Sequence, residues 1–116
     1  MKYQVIKMHR SEFPDPIVIF KGDSLIIGEK YEGPESWDNW FFCETLCQTR
    51  GWVPGQIIKW LQGNEGEAQQ NYSAKEMDIE EGDILIGINH LNGWIWCQHP
   101  VSEEEGWVPA ENLVQI

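Results

Sequence analysis

The tetrapeptide GWVP occupies residues 51–54 and recurs at residues 106–109. Four repeated letters decide little alone, but an internal duplication requires neighbouring segments to recur in the same order. They do. KGDSLII at 21–27 answers EGDILI at 81–86, and WFFC at 40–43 answers WIWC at 94–97. The offsets are 60, 54 and 55 residues, and their differences are loop-length differences. The 116-residue chain therefore reads as two units of about 60 residues, near the lower limit for independent folding.

Side chains alternate along a strand, so in GWVP the valine points inward while Trp and Pro share the outer face. Glycine at the strand start permits a bend or bulge. Proline lacks an amide hydrogen, stops the ladder and sends the chain into a turn. An outer Trp beside an outer Pro calls for an apolar neighbour, either a ligand or the other unit.

The remaining sequence reads as mostly β. Short runs rich in Ile, Val, Phe and Trp alternate with Gly, Pro, Asn and Asp clusters, with no apolar stripe of helical period. The expected strands are 3–8, 24–29, 40–45 and 51–54 in the first unit, and 68–72, 84–89, 94–99 and 106–109 in the second. A short turn and a last strand end each unit. Residues 61–67, LQGNEGE, read as the linker. The runs LII and ILIGI are apolar on both faces, which predicts that the two units pack against each other.

Net charge is −11. Residues 1–60 carry 7 basic and 8 acidic groups, whereas 61–116 carry 1 and 11. This acidity makes nucleic acid and anionic lipid poor partners and a basic peptide a better one. No run of 18 apolar residues exists for a membrane span, and MKYQVIKMHR lacks the apolar core of a secretion signal, so a cytoplasmic location is expected. Three cysteines without a C-x-x-C spacing suggest reduced thiols rather than a disulfide framework or zinc site. His9, His90 and His99 stand singly, without the i, i+2 or i, i+4 spacing of metal ligands. No cofactor, metal or catalytic constellation is expected.

The segment NYSAKEMDIEEGDILIGINHLNGWIWCQHPVSEEEGWVPAENLVQI resembles a Src-homology-3 (SH3) domain over nearly its whole length. Its order matches the family: an ALYDY-like strand, an acidic loop, a Gly-Asp turn, a variable loop ending at Trp, a hairpin, and a glycine-aromatic-hydrophobic-proline strand. The first unit resembles the family through IVIFKGD, WFFC and GWVPGQII. Together they look like the small bacterial tandem proteins labelled ligand-binding SH3 proteins. The resemblance implies two tandem SH3-like β-barrels, residues 1–61 and 67–116, with 62–66 between them, packed into one body.

In that family, aromatic grooves hold a left-handed proline-rich helix, and an acidic pocket beside the key tryptophan takes an Arg or Lys. Residue by residue, the resemblance makes Trp40 and Trp94 the key tryptophan, Pro54 and Pro109 the groove proline, and Trp52 and Trp107 the adjacent aromatic. Tyr72 matches the second tyrosine of ALYDY. Four positions depart: Gln70 and Lys7 replace its first tyrosine, and Asn112 and Ile57 replace the aromatic after the groove proline. Weak or absent PxxP binding is expected. The acidic side persists in Glu12, Asp15, Glu32, Glu35 and Asp38 around Trp40, and in Glu76 and Asp78 around Trp94, where a cation over a tryptophan face gains roughly 0.5 to 2 kcal/mol.

Three functions follow from this reading: a non-enzymatic module docking a basic peptide or protein segment; a structural element whose Trp and Pro faces are buried between units or in a homo-oligomer; and an aromatic cage for a small organic cation. Trp37, Trp60 and Trp96 have no matching role and read as packing residues, as do Cys43 and Cys97. Cys47 falls in a hairpin loop, with no His at a spacing that would lower its pKa.

Overall fold

The computed structural model describes residues 1–11, 16–34, 37 and 39–116. Among them the chain is nearly all β. The strands are β1 (Lys2–Val5), β2 (Val18–Ile19), β3 (Ser24–Lys30), β4 (Trp40–Thr45), β5 (Arg50–Pro54), β6 (Ile58–Trp60), β7 (Glu65–Ala68), β8 (Tyr72–Ser73), β9 (Ile84–Leu91), β10 (Trp94–Gln98), β11 (Glu105–Pro109) and β12 (Leu113–Gln115). Single 3-10 turns, Gly55–Ile57 and Ala110–Asn112, follow the two GWVP strands. Two five-stranded antiparallel sheets run in the orders β11-β10-β9-β1-β12 and β5-β4-β3-β7-β6, and β2 pairs with β8 in a smaller one.

The Gly-Asp signal has a local physical cause. Gly22 and Gly82 have φ of 94° and 96°, which suits glycine at the third position of a tight turn. Asp23 N donates to Phe20 O at 2.9 Å, and Asp83 N to Glu80 O at 3.1 Å. Each aspartate also accepts at Oδ2 the amide of the residue opening its turn, Phe20 or Glu80, at 2.9 Å. Each turn then clips onto a strand end: Gly22 N donates to Ala68 O and Gly82 N to Val5 O, both at 2.8 Å.

Those clips correct the expected division of the chain. Residues 1–61 and 67–116 are not the compact units; these are 15–74, and 1–14 together with 75–116. The expected linker 62–66 instead contains the end of the tight 61–64 connection from β6 and the first two residues of β7, with Leu61 N donating to Glu65 O at 3.0 Å. That connection keeps β7 beside β6 and β3. Strand β1, expected with the first GWVP, instead pairs with β9 and β12.

Each unit has its own core. In unit 15–74 it comprises Ile17, Ile19, Leu25, Ile27, Cys43, Val53, Ile57, Ile58 and Ala68; in the other, Val5, Met77, Ile79, Leu85, Ile95, Cys97, Val108 and Leu113. Val53 and Val108 point inward as expected and are fully buried. The glycines before them serve close approach rather than a bend. A Cβ on Gly51 would come 2.7 Å from Ile17 Cγ2, and one on Gly106 2.9 Å from Met77 N.

Burial pushes the Cys43 thiol up to about 12 from its ordinary 9.0, and that of Cys97 up to about 11. The native state keeps protons that the unfolded chain releases above pH 9.0. Both thiols therefore stabilise the fold fully below that pH, and the contribution is lost as pH rises toward these higher values. The urea midpoint should fall between pH 9 and 11 more steeply in the parent chain than in Cys43→Ala and Cys97→Ala variants. A separate test concerns the division itself: excised 15–74, which keeps β2 beside β8, should unfold cooperatively with a β-type circular dichroism spectrum. Excised 1–61, lacking β7, should be much less stable.

Candidate functional site

In unit 15–74, strands β3, β4 and β5 bring aromatic rings into a row. Phe42 and Trp52 are direct cross-strand partners, and their rings meet at 5.2 Å and 69°. Tyr31, just beyond β3, stands edge-on to Trp52 at 5.4 Å and 90° and continues to Trp37 at 5.5 Å. All four rings are half-buried. Tyr72 Oη donates to Trp52 O at 3.0 Å, which fixes β8 against this strand. The two contacts to Trp52 are edge-to-face and hold ring positions by quadrupole attraction as well as by burial, while Tyr31 and Trp37 meet tilted at 37°.

Trp40 and Pro54 sit directly across from each other on β4 and β5, but both are buried, Trp40 to 6% exposure. Within GWVP itself Pro54 is buried and Trp52 half-buried, and in the second copy both Trp107 and Pro109 are buried, so neither is the exposed pair the strand alternation suggested. Glu32 is exposed, and Glu44 Oε1 accepts from Arg50 Nε at 2.5 Å. Glu12, Asp15, Glu35 and Asp38 lie outside the described residues. An open depression lined by Pro16, Val18, Gln48, Thr49 and Arg50 gathers none of the sequence-derived candidates.

The second candidate constellation belongs to unit 1–14 with 75–116. Trp94, half-buried, pairs across strands with buried Pro109. His9 bridges to Ile79 in an antiparallel register, its backbone donating to Ile79 O at 3.2 Å and accepting from Ile79 N at 2.9 Å. That bridge places the imidazole edge-on to Trp94, 5.6 Å between centroids, and its Nε2 2.7 Å from Glu76 Oε1. Asp78 Oδ1 accepts from Ser11 N at 2.7 Å. Arg10 Nη1 donates to Ile79 O at 2.9 Å, and its guanidinium pairs with Glu80. Trp107 is buried at 6% exposure, held between the Lys75 and Met77 backbones and packed against Trp96 at 5.3 Å.

Two groupings in the sequence reading are thereby changed. Tyr72, expected beside Trp94, lies with Trp52 in the other unit, because the strand that carries it pairs with β2. Glu76 is linked to Trp94 through His9, which it already holds, and Asp78 holds the Ser11 amide. Sequence reasoning missed His9, 67 residues from its carboxylate, and also Tyr31 and Phe42. The one local signal for the aromatic row was loop length: nine residues separate β3 from β4, whereas Asn92 and Gly93, both at positive φ, turn β9 directly into β10.

Among the described residues, no three His, Cys, Asp or Glu side chains gather to hold a metal, and no helix is long and apolar enough to cross a membrane. Compared with known proteins, the chain matches no family model, no curated protein and no solved structure.

The His9–Glu76 pair makes a direct prediction. Both side chains are largely buried, 14% and 13% exposed, so His9→Ala strands a carboxylate and should cost about 1–3 kcal/mol in urea unfolding. A double-mutant cycle with Glu76→Gln should recover part of that loss as coupling.

Proposed function

We propose that this chain is a pair of SH3-like barrels serving as a non-enzymatic cytoplasmic module that docks a basic peptide or protein segment. The docking surface is the row Tyr31, Trp37, Phe42 and Trp52, in preference to the grooves at Trp40 and Trp94. Support for the fold comes from the shared strand order: a three-strand meander, a 3-10 turn, and a last strand beside the strand that the Gly-Asp turn clips.

One observation carries the choice of surface: these four rings are linked in a half-buried row within a unit that has 9 acidic and 4 basic groups. Aromatic faces in negative surroundings favour a cation that has lost part of its water. The Trp94 pocket is a poorer host because His9 already stands against that ring and holds Glu76. The burial of Trp40, Trp107, Pro54 and Pro109 favours a second reading, in which those tryptophans only support the fold.

The test is an NMR titration of the seven indole N–H signals with Arg- and Lys-rich peptides, proline-containing and proline-free. Shifts should concentrate on Trp52 and Trp37, with little preference for proline and weakening at high salt. Trp52→Ala should reduce affinity about tenfold, the size of one good cation–aromatic contact. Shifts confined to Trp94, or none at millimolar peptide, would exclude the proposed surface.

A further inference from the structure

We infer that the two halves of this chain have exchanged their first strands, and that a reciprocal match of side-chain size in two strand slots selects the exchanged pairing. The slots are equivalent residue by residue. In one, β1 lies between β9 and β12, with Tyr3 opposite Leu85 and Gln115 and Val5 opposite Leu113. In the other, β7 lies between β3 and β6, with Gly66 opposite Leu25 and Trp60 and Ala68 opposite Ile58. Val5 and Ala68 receive the same Gly-Asp clip. In sequence, however, β1 precedes the half containing β3, and β7 precedes the half containing β9. Each slot thus holds the strand of the other half.

The size match is specific. Tyr3 and Gly66 occupy corresponding positions, as do their neighbours Gly87 on β9 and Ile27 on β3. A Cβ on Gly87 would run into the Tyr3 ring. A Cβ on Gly66 would come 2.6 Å from Ile27 Cδ1 and 3.1 Å from Ile58 Cγ2. One slot therefore pairs a large strand residue with a small wall, and the other a small residue with a large wall. Returning the strands to their own halves would press Tyr3 onto Ile27 and set Gly66 against Gly87. The first slot would be overpacked and the second left hollow, and both faults destabilise a core. Each slot is a strand acceptor that reads one side chain.

Cross-strand disulfides distinguish the pairings. Val5 N donates to Asp83 O and Gly87 N to Met1 O, so Gln4 and Ile84 form a non-hydrogen-bonded pair whose side chains approach closely. In a Cys47→Ser background, Gln4→Cys with Ile84→Cys should close a disulfide within one monomeric chain, located by mass spectrometry. Gln4→Cys with Ser24→Cys, the pair of the unexchanged order, should stay open. Closure of the second pair, or closure of the first only between two chains, would overturn exchange within the chain.

Size selection is tested by rescue. Gly87→Ile alone should lower the thermal midpoint sharply. Adding Tyr3→Gly copies the Gly66–Ile27 pair into this slot and should restore much of the loss. A double variant no more stable than Gly87→Ile would overturn the size match.

Discussion

Strand β1 is hydrogen-bonded on both sides, to β9 and to β12, and the rest of its unit depends on that insertion. Its partners lie about 80 and 110 positions further along the chain. Without it, β9 and β12 would both be open edges, the Gly82–Asp83 turn would lose Val5, and Asn112 would lose the Lys7 and Met8 carbonyls that its Nδ2 reaches at 3.1 and 3.2 Å. Strand β7 makes the same connections in the other sheet, but a short turn joins it to β6. Closing one slot is therefore local, while closing the other spans the whole of residues 15–74, and the entropy of that long loop must be offset by the contacts it allows.

The insertion also redistributes charge. By sequence halves the chain carries −1 and −10, yet the unit of 1–14 with 75–116 has 4 basic and 10 acidic groups, and 15–74 has 4 and 9. The first segment brings His9 and Arg10 to Glu76 and Glu80, and the Ser11 amide to Asp78. Acids that would repel one another on an isolated loop thereby gain local partners. The same contacts fill the space beside Trp94. The proposed docking role then falls to the aromatic row of 15–74, where a longer connection after β3 supplies Tyr31 and Trp37.

Much of the fold was legible because its causes are local. Gly-Asp marked both clipped turns, since the glycine needs positive φ and the aspartate returns a hydrogen bond three residues back. Val in GWVP marked the buried face through simple alternation. The register that sets Trp40 opposite Pro54 and Trp94 opposite Pro109 is seen only in the assembled sheets. Burial of Trp40 and Trp107 was likewise not legible, because alternation says which face a ring takes and nothing of what covers that face. The role of glycine in GWVP was misread for a related reason: the Ile17 and Met77 segments that need its missing side chain come from distant positions.

The amino-acid sequence by itself determined the strands β3, β4, β5, β9, β10 and β11, the Gly-Asp turns, the inward valines and the buried cysteines, all properties of alternation, turn geometry and apolar content within a few residues. Strands β2 and β7 were not among the expected strands, and β7 lies largely in the stretch read as a linker. Tertiary structure alone decided which half each first strand completes, and with it the company of Tyr72, His9 and Glu76. The hydrogen-bonding pattern of a strand fits either slot equally well. Only the side chains already standing in the slot, Gly87 in one and Ile27 in the other, distinguish Tyr3 from Gly66, and that comparison exists only once the sheets are assembled.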